Sequence, residues 1–307
     1  MRNYEPDFFP FNLFHFSTLY MADEQNQPPH RGIKKGLYVI PTLFTAGNVA
    51  MGFLAVLASI RGFHTSFTDP ILAAHYFDLA GIGIGLAILF DTVDGRVARA
   101  TRTATEIGVQ FDSLADVLTF GIAPTALVYG WAFAGVFTQG TFGHNLSVVI
   151  LFFFLMCGIF RLARFNLQAT RPRVLAEGTP KLDKKNFVGL PIPPAGGLLA
   201  AIVHFAPAPL SSYGERPAHY YSYALMALII TLAILMVSKI KHSSFKTIGS
   251  GRQSYIIILV LAAMAMSVFL YSQYALMIIA GIYVSHGVIW WMFRSISAKL
   301  LPSESAG

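Results

Sequence analysis

Long apolar runs separated by short polar stretches dominate this chain. A helix crossing a bilayer needs about 20 mostly apolar residues. Eight runs approach or exceed that length: Leu37–Ile60, Ile71–Phe90, Leu114–Val136, Leu146–Leu162, Val188–Phe205, Tyr220–Val237, Tyr255–Leu270 and Ala275–Met292. The runs are continuously apolar instead of alternating, which is the pattern of helices and not of a barrel. The expected fold class is all-α, a polytopic membrane helix bundle of about eight transmembrane helices. The last two runs meet at a tight polar link, Ser272-Gln273, and read as two spans.

Composition agrees. Of the 307 residues, 55% are hydrophobic and 12% charged, where soluble domains carry about 25% charged residues. The net charge of +7 would suggest nucleic acid in a soluble protein. In a chain this apolar it points to the lipid bilayer as partner and to no nucleic acid. The single cysteine, Cys157, cannot form an internal disulfide and sits in an apolar run, where packing is its expected role.

Charge also sets an expected orientation. With eight spans and the N-terminus inside, only Arg61 and Arg216 of the 22 Lys and Arg residues fall outside. That asymmetry follows the positive-inside rule. Both termini, the Asp91–Asp116 segment, the Asn166–Phe187 loop and the Lys239–Arg252 loop are then cytoplasmic, and so is the active site.

Domain organisation is expected to be simple. Residues 1–36 form an N-terminal extension, read as disordered, without the apolar core and cleavage site of a signal peptide. Met21-Ala-Asp-Glu resembles a natural start, so Met1 and Met21 both stand as candidates. Residues 37–295 form the membrane-embedded domain, and residues 296–307 a cytoplasmic tail.

The chemistry concentrates between the second and third runs: Asp91-Thr-Val-Asp94-Gly95-Arg96-Val-Ala98-Arg99, then eight residues to Gly108, then Asp112 and Asp116. Positions three or four apart on a helix share a face. Asp91 pairs with Asp94, and Asp112 with Asp116. The residues between the pairs permit a turn, so two neighbouring helices can aim four carboxylates at one volume. Each carboxylate at membrane depth costs about 2.5–3.5 kcal/mol on insertion scales, and like charges repel. Hard divalent cations with oxygen ligands would compensate, leaving positions open for phosphate oxygens. Gly95 and Gly108 suit a close approach of backbone to ligand. Arg99 is a candidate bidentate phosphate clamp. The nine histidines show no metal-ligand spacing.

The pattern D-x-x-D-G-x-x-A-R, eight residues, G-x-x-x-D-x-x-x-D resembles the signature of the CDP-alcohol phosphotransferase family at every defined position. Phe160–Asn166, Phe187–Pro193, Leu235–Lys246 and Pro41–Asn48 are similar to the branch that uses serine as acceptor. Thr42 departs from the asparagine frequent after that first proline. The resemblance covers about residues 37–295.

It implies a metal-dependent transferase of phospholipid biosynthesis in a bacterial cytoplasmic membrane, with CDP-diacylglycerol and serine as substrates and CMP as leaving group. It implies Mg²⁺ or Mn²⁺, two ions, held by Asp91, Asp94, Asp112 and Asp116. Asp116 is the expected catalytic residue, as base, ligand or both. Gly95, Arg99, Gly108, Asn48 and Thr45 would bind CDP or phosphate. Arg161 and Arg164 would contact acceptor or phosphate, or only anchor headgroups. Lys239, Lys241 and Lys246 stand under the same pair of readings. A homodimer is a family-level expectation. The competing readings are another family member using glycerol 3-phosphate or inositol, and an ion-coupled transporter. A transporter would spread its charges through the membrane depth, whereas here the acids gather at one face and Asp78 is the exception.

Overall fold

The computed structural model describes residues 33–101, 106–170, 186–238, 241–243, 266–268 and 270–300. In chain order the helices are α1 (Ile33–Thr65), α2 (Pro70–Thr101), α3 (Glu106–Asp116), α4 (Ala123–Val128), α5 (Phe142–Thr170), α6 (Ile192–Phe205), α7 (Glu215–Val237) and α8 (Ser272–Leu300). π-helical turns at Val117–Ile122 and Tyr129–Phe133 join α3 and α4 into one rod. Strands β1 (Asn186–Val188) and β2 (Lys241–Ser243) pair antiparallel, Phe187 opposite His242. This three-residue ladder is the one sheet among the described residues, and the protein is otherwise a helical bundle.

Five helical stretches are long and apolar enough to cross a membrane: Thr42–Thr65, Pro70–Val97, Ile107–Phe133, Phe142–Leu167 and Glu215–Val237. These correspond to five of the eight expected spans, and they make the chain an integral membrane protein. The expected span Val188–Phe205 yields a helix of only 14 residues, Ile192–Phe205, roughly 21 Å at 1.5 Å per residue. Prolines at 191, 193 and 194 explain its late start, since proline is tolerated at the first helical turn but not deeper. The run Tyr255–Leu270 lies largely outside the described residues, as does most of the N-terminal extension. α8 contains the last expected run and continues to Leu300.

Local chemistry sets the joints. The Asp69 carboxylate accepts from the backbone N–H groups of Ile71 and Leu72, each at 3.0 Å, and so caps α2. Pro124 lacks an N–H for the Phe120 carbonyl, and the helix widens just before it: the Ala123 N–H reaches back five residues to Leu118. The Phe120 carbonyl then faces Gly196 of α6, where an added Cβ would lie 2.6 Å from that oxygen. Gly52 of α1 meets Thr119 in the same way, its virtual Cβ 2.9 Å from the Thr119 Cα. Small residues thus let α1 and α6 close on the α3–α4 rod, as expected where lipid gives no hydrophobic drive for helix association.

The core is sealed by Phe77, Phe120, Phe133, Phe154, Leu199 and Ile229, all fully buried. Large apolar side chains such as Leu43, Phe53, Leu89, Phe152 and Ile234 point outward, as they do when lipid is the solvent. Gly189 has φ +85°, and its virtual Cβ runs into the Met236 carbonyl. With the Leu190 N–H donating to the Leu235 carbonyl at 3.0 Å, it ties the start of α6 to the end of α7.

Candidate active site

α2 supplies Asp91 and Asp94, and α3 supplies Asp112 and Asp116. Asp91, Asp112 and Asp116 each offer a carboxylate oxygen, and these oxygens lie within 4.8 Å of one another. Asp91 and Asp112 are half-buried and Asp116 is buried. One Asp116 oxygen, Oδ1, is enclosed without a hydrogen-bond partner. Three carboxylates converging in this way, one of them on a buried residue, suit a hard divalent cation that keeps positions open for phosphate oxygens.

Asp94 stands differently. It is buried, outside this group of three, and its Oδ2 accepts a hydrogen bond from the Thr45 hydroxyl of α1. Of the four carboxylates expected to converge, three lie within 4.8 Å of one another and Asp94 is hydrogen-bonded to α1 beside them. Thr45, expected to bind CDP or phosphate, is hydrogen-bonded to Asp94.

Asn48 lies one turn further along α1. It is fully buried, and neither its amide nitrogen nor its side-chain oxygen has a hydrogen-bond partner. Its backbone carbonyl accepts from the Thr119 hydroxyl at 3.2 Å. A buried amide left unsatisfied is costly, and this one is available to a ligand. Gly95 is half-buried beside Asp94, and Gly108 is exposed on the first turn of α3. Arg99 is in α2 by its backbone, and its side chain lies outside what is described.

α5 closes another side. Arg161 is half-buried, near enough to Asp116 to act on it electrostatically, and its guanidinium carbon lies 5.8 Å from the Phe165 ring centroid. One turn on, the Asn166 amide nitrogen donates to the Ser113 hydroxyl at 2.9 Å, next to Asp112. Ser113 carries no signal in the sequence, because its role comes from a helix 53 residues away. Arg164 is half-buried on α5. Lys239 and Lys246 lie outside the described residues, and Lys241 enters through the backbone of β2.

The geometry defines a membrane-embedded acidic site, carboxylates on two helices with a cation on a third. The family described as CDP-alcohol phosphatidyltransferase matches residues 38–234, which contain all of it, and the chain belongs to that family. Among its relatives, the CDP-diacylglycerol–serine O-phosphatidyltransferase of Helicobacter pylori is 30% identical over 276 residues, 88% of this chain and 98% of that protein. The protein of the same description from Bacillus subtilis is 30% identical over 208 residues, 67% of this chain and 91% of that protein. An archaetidylserine synthase of Methanothermobacter thermautotrophicus is 30% identical over 214 residues, 69% of this chain and 72% of that protein.

Proposed function

We propose that this protein transfers the phosphatidyl group of CDP-diacylglycerol to the hydroxyl of L-serine and releases CMP. The observation that carries the reading is the convergence of Asp91, Asp112 and Asp116 from two helices within 4.8 Å, inside a chain similar to serine phosphatidyltransferases over most of its length.

Asp91, Asp112 and Asp116 would hold the divalent cation, Mg²⁺ or Mn²⁺. A bound cation supplies neutralisation of the pyrophosphate and polarisation of the attacked phosphorus. The chain's own groups do the rest. The Thr45 hydroxyl holds the Asp94 carboxylate. The buried Asn48 amide offers two donors and an acceptor to the polar part of the donor lipid. The Arg161 guanidinium balances the carboxylates and offers N–H groups to a phosphate or to the serine carboxylate. The free Asp116 oxygen accepts the serine hydroxyl proton as the serine oxygen bonds to the phosphorus bearing diacylglycerol. The phosphorus–oxygen bond to CMP breaks in the same displacement. The outward apolar surfaces of α1, α2 and α5 keep the diacyl chains in lipid while the headgroup chemistry proceeds between the helices.

Sidedness follows the distribution of Lys and Arg, with both termini and the site at the cytoplasmic face. Purified protein given CDP-diacylglycerol and labelled serine, glycerol 3-phosphate or inositol tests the reading. CMP release and lipid labelling with serine alone are expected. Labelling with another alcohol in place of serine reassigns the acceptor.

A further inference from the structure

Asp78 has no part in the acidic cluster. It lies on α2 toward the Pro70 end, roughly 20 Å along the helix from Asp91. Its partner is His204 in the last turn of α6, which is 4% exposed. The imidazole Nδ1 is 2.6 Å from Asp78 Oδ1, and Nε2 is 2.9 Å from the hydroxyl oxygen of Ser272, the first residue of α8. Gly81 permits the approach of α2 to α6. An added Cβ there would sit 3.1 Å from the Ala200 carbonyl oxygen and 3.4 Å from the His204 Cβ.

The order of these atoms sets the protons. A carboxylate only accepts, so Nδ1 carries the hydrogen donated to Asp78. In the neutral imidazole Nε2 is then bare, and the Ser272 hydroxyl donates to it. Carboxylate, imidazole and hydroxyl in this sequence activate a serine oxygen as a nucleophile, an arrangement recognised by geometry and not by chain order. Ser272 is half-buried, so its oxygen is not sealed in the core. The Tyr271 carbonyl accepts from the Ala275 N–H at 2.9 Å, which makes Ser272 the opening residue of the α8 first turn. The positive end of the helix dipole therefore lies where an attacked carbonyl would develop negative charge.

The surroundings select the substrate. Phe205, Leu270, Tyr271 and Tyr274 are exposed around this point, and the Phe205 and Tyr274 rings meet edge to face at 5.5 Å. In a bilayer such side chains face acyl chains and the lipid interface. On the sidedness proposed above, the acidic cluster is cytoplasmic and Asp78, His204 and Ser272 lie in the opposite half of the membrane.

We propose that Asp78, His204 and Ser272 form a second catalytic site, a serine esterase acting on acyl esters of lipids in the leaflet opposite the acidic cluster. The Ser272 oxygen bonds to the ester carbonyl carbon as His204 Nε2 takes its proton. The bond from that carbon to the alcohol oxygen breaks, and Nε2 returns the proton to the departing alcohol. Water then bonds to the acyl carbon, the bond to Ser272 breaks, and the proton passes through Nε2 to restore the hydroxyl. The acid is released. This site shares no residue with the transferase site and stands or falls separately from it.

The full-length protein in detergent is treated with an alkyl fluorophosphonate, and the adduct is mapped by mass spectrometry. An adduct at Ser272 is expected. His204→Gln should slow labelling about 100-fold or more, within the range of general-base assistance. Asp78→Asn, which leaves the imidazole without its orienting carboxylate, should slow it about tenfold or more. Thermal unfolding of each variant checks that it is folded. Wild type should release decanoate from p-nitrophenyl decanoate in mixed micelles, and Ser272→Ala should not. Wild type without an adduct at Ser272 would overturn the proposal and leave the three residues as a tie between helices. Labelling that neither His204→Gln nor Asp78→Asn slows would do the same, as would labelling without ester hydrolysis. The wild-type reactions decide by themselves should the variants fail to fold.

Discussion

The Thr45 hydroxyl donates to the Asp94 carboxylate across the α1–α2 interface, beside the group of three aspartates, Asp91, Asp112 and Asp116, that converge. α1 and α2 run side by side, with Gly47 of α1 against the Phe90 ring of α2 at 3.3 Å from its virtual Cβ. That close approach brings Thr45 within reach. Asp94 is thereby satisfied by the protein itself, whereas Asp116 keeps a buried oxygen free.

Thr45→Ala should leave the Asp94 carboxylate buried without that donor. An unsatisfied buried acceptor costs about 1–3 kcal/mol, so thermal unfolding in detergent should fall by several degrees. Thr45→Ser retains the hydroxyl and should recover most of the loss. Equal effects of the two substitutions would assign the stability to the threonine methyl group.

Asp116→Asn should retain metal binding better than turnover. General-base assistance is worth about 10²–10⁴-fold, so kcat should fall within that range while Mn²⁺ affinity, read by electron paramagnetic resonance, changes less. Asp91→Asn and Asp112→Asn should weaken Mn²⁺ binding and turnover together. Parallel losses in Asp116→Asn would remove that residue from the base role.

Chelation with EDTA should abolish CMP release and leave the helical content intact, since the bundle's core does not depend on the carboxylates. Added Mg²⁺ or Mn²⁺ should restore release. Turnover that survives exhaustive chelation would mean that the carboxylates act without a cation.

Gly189→Ala should fail to fold or lose more stability than Gly214→Ala. Both positions have positive φ, +85° and +90°, which costs a non-glycine residue roughly 1–3 kcal/mol. At Gly189 the new methyl would also meet the Met236 carbonyl, whereas at Gly214 it meets nothing within 4 Å. Thermal unfolding of the two variants in parallel measures the difference.

Sequence alone determined what depends on short spacings and on bulk solvent preference. The apolar runs marked the spanning helices because burial in lipid demands apolar length. The i+3 and i+4 aspartate pairs marked the acidic cluster because helical periodicity is local. Which oxygens converge, and which is already bonded, depended on how α1 leans on α2 and α3. That lean is set by Gly47, Gly52 and the π-helical turn ahead of Pro124, contacts between residues distant in the chain. The Asn166–Ser113 pair and the Asp78–His204–Ser272 chain arise in the same way. Each joins helices whose separation along the chain carries no periodic signal, so only packing in three dimensions could bring them together.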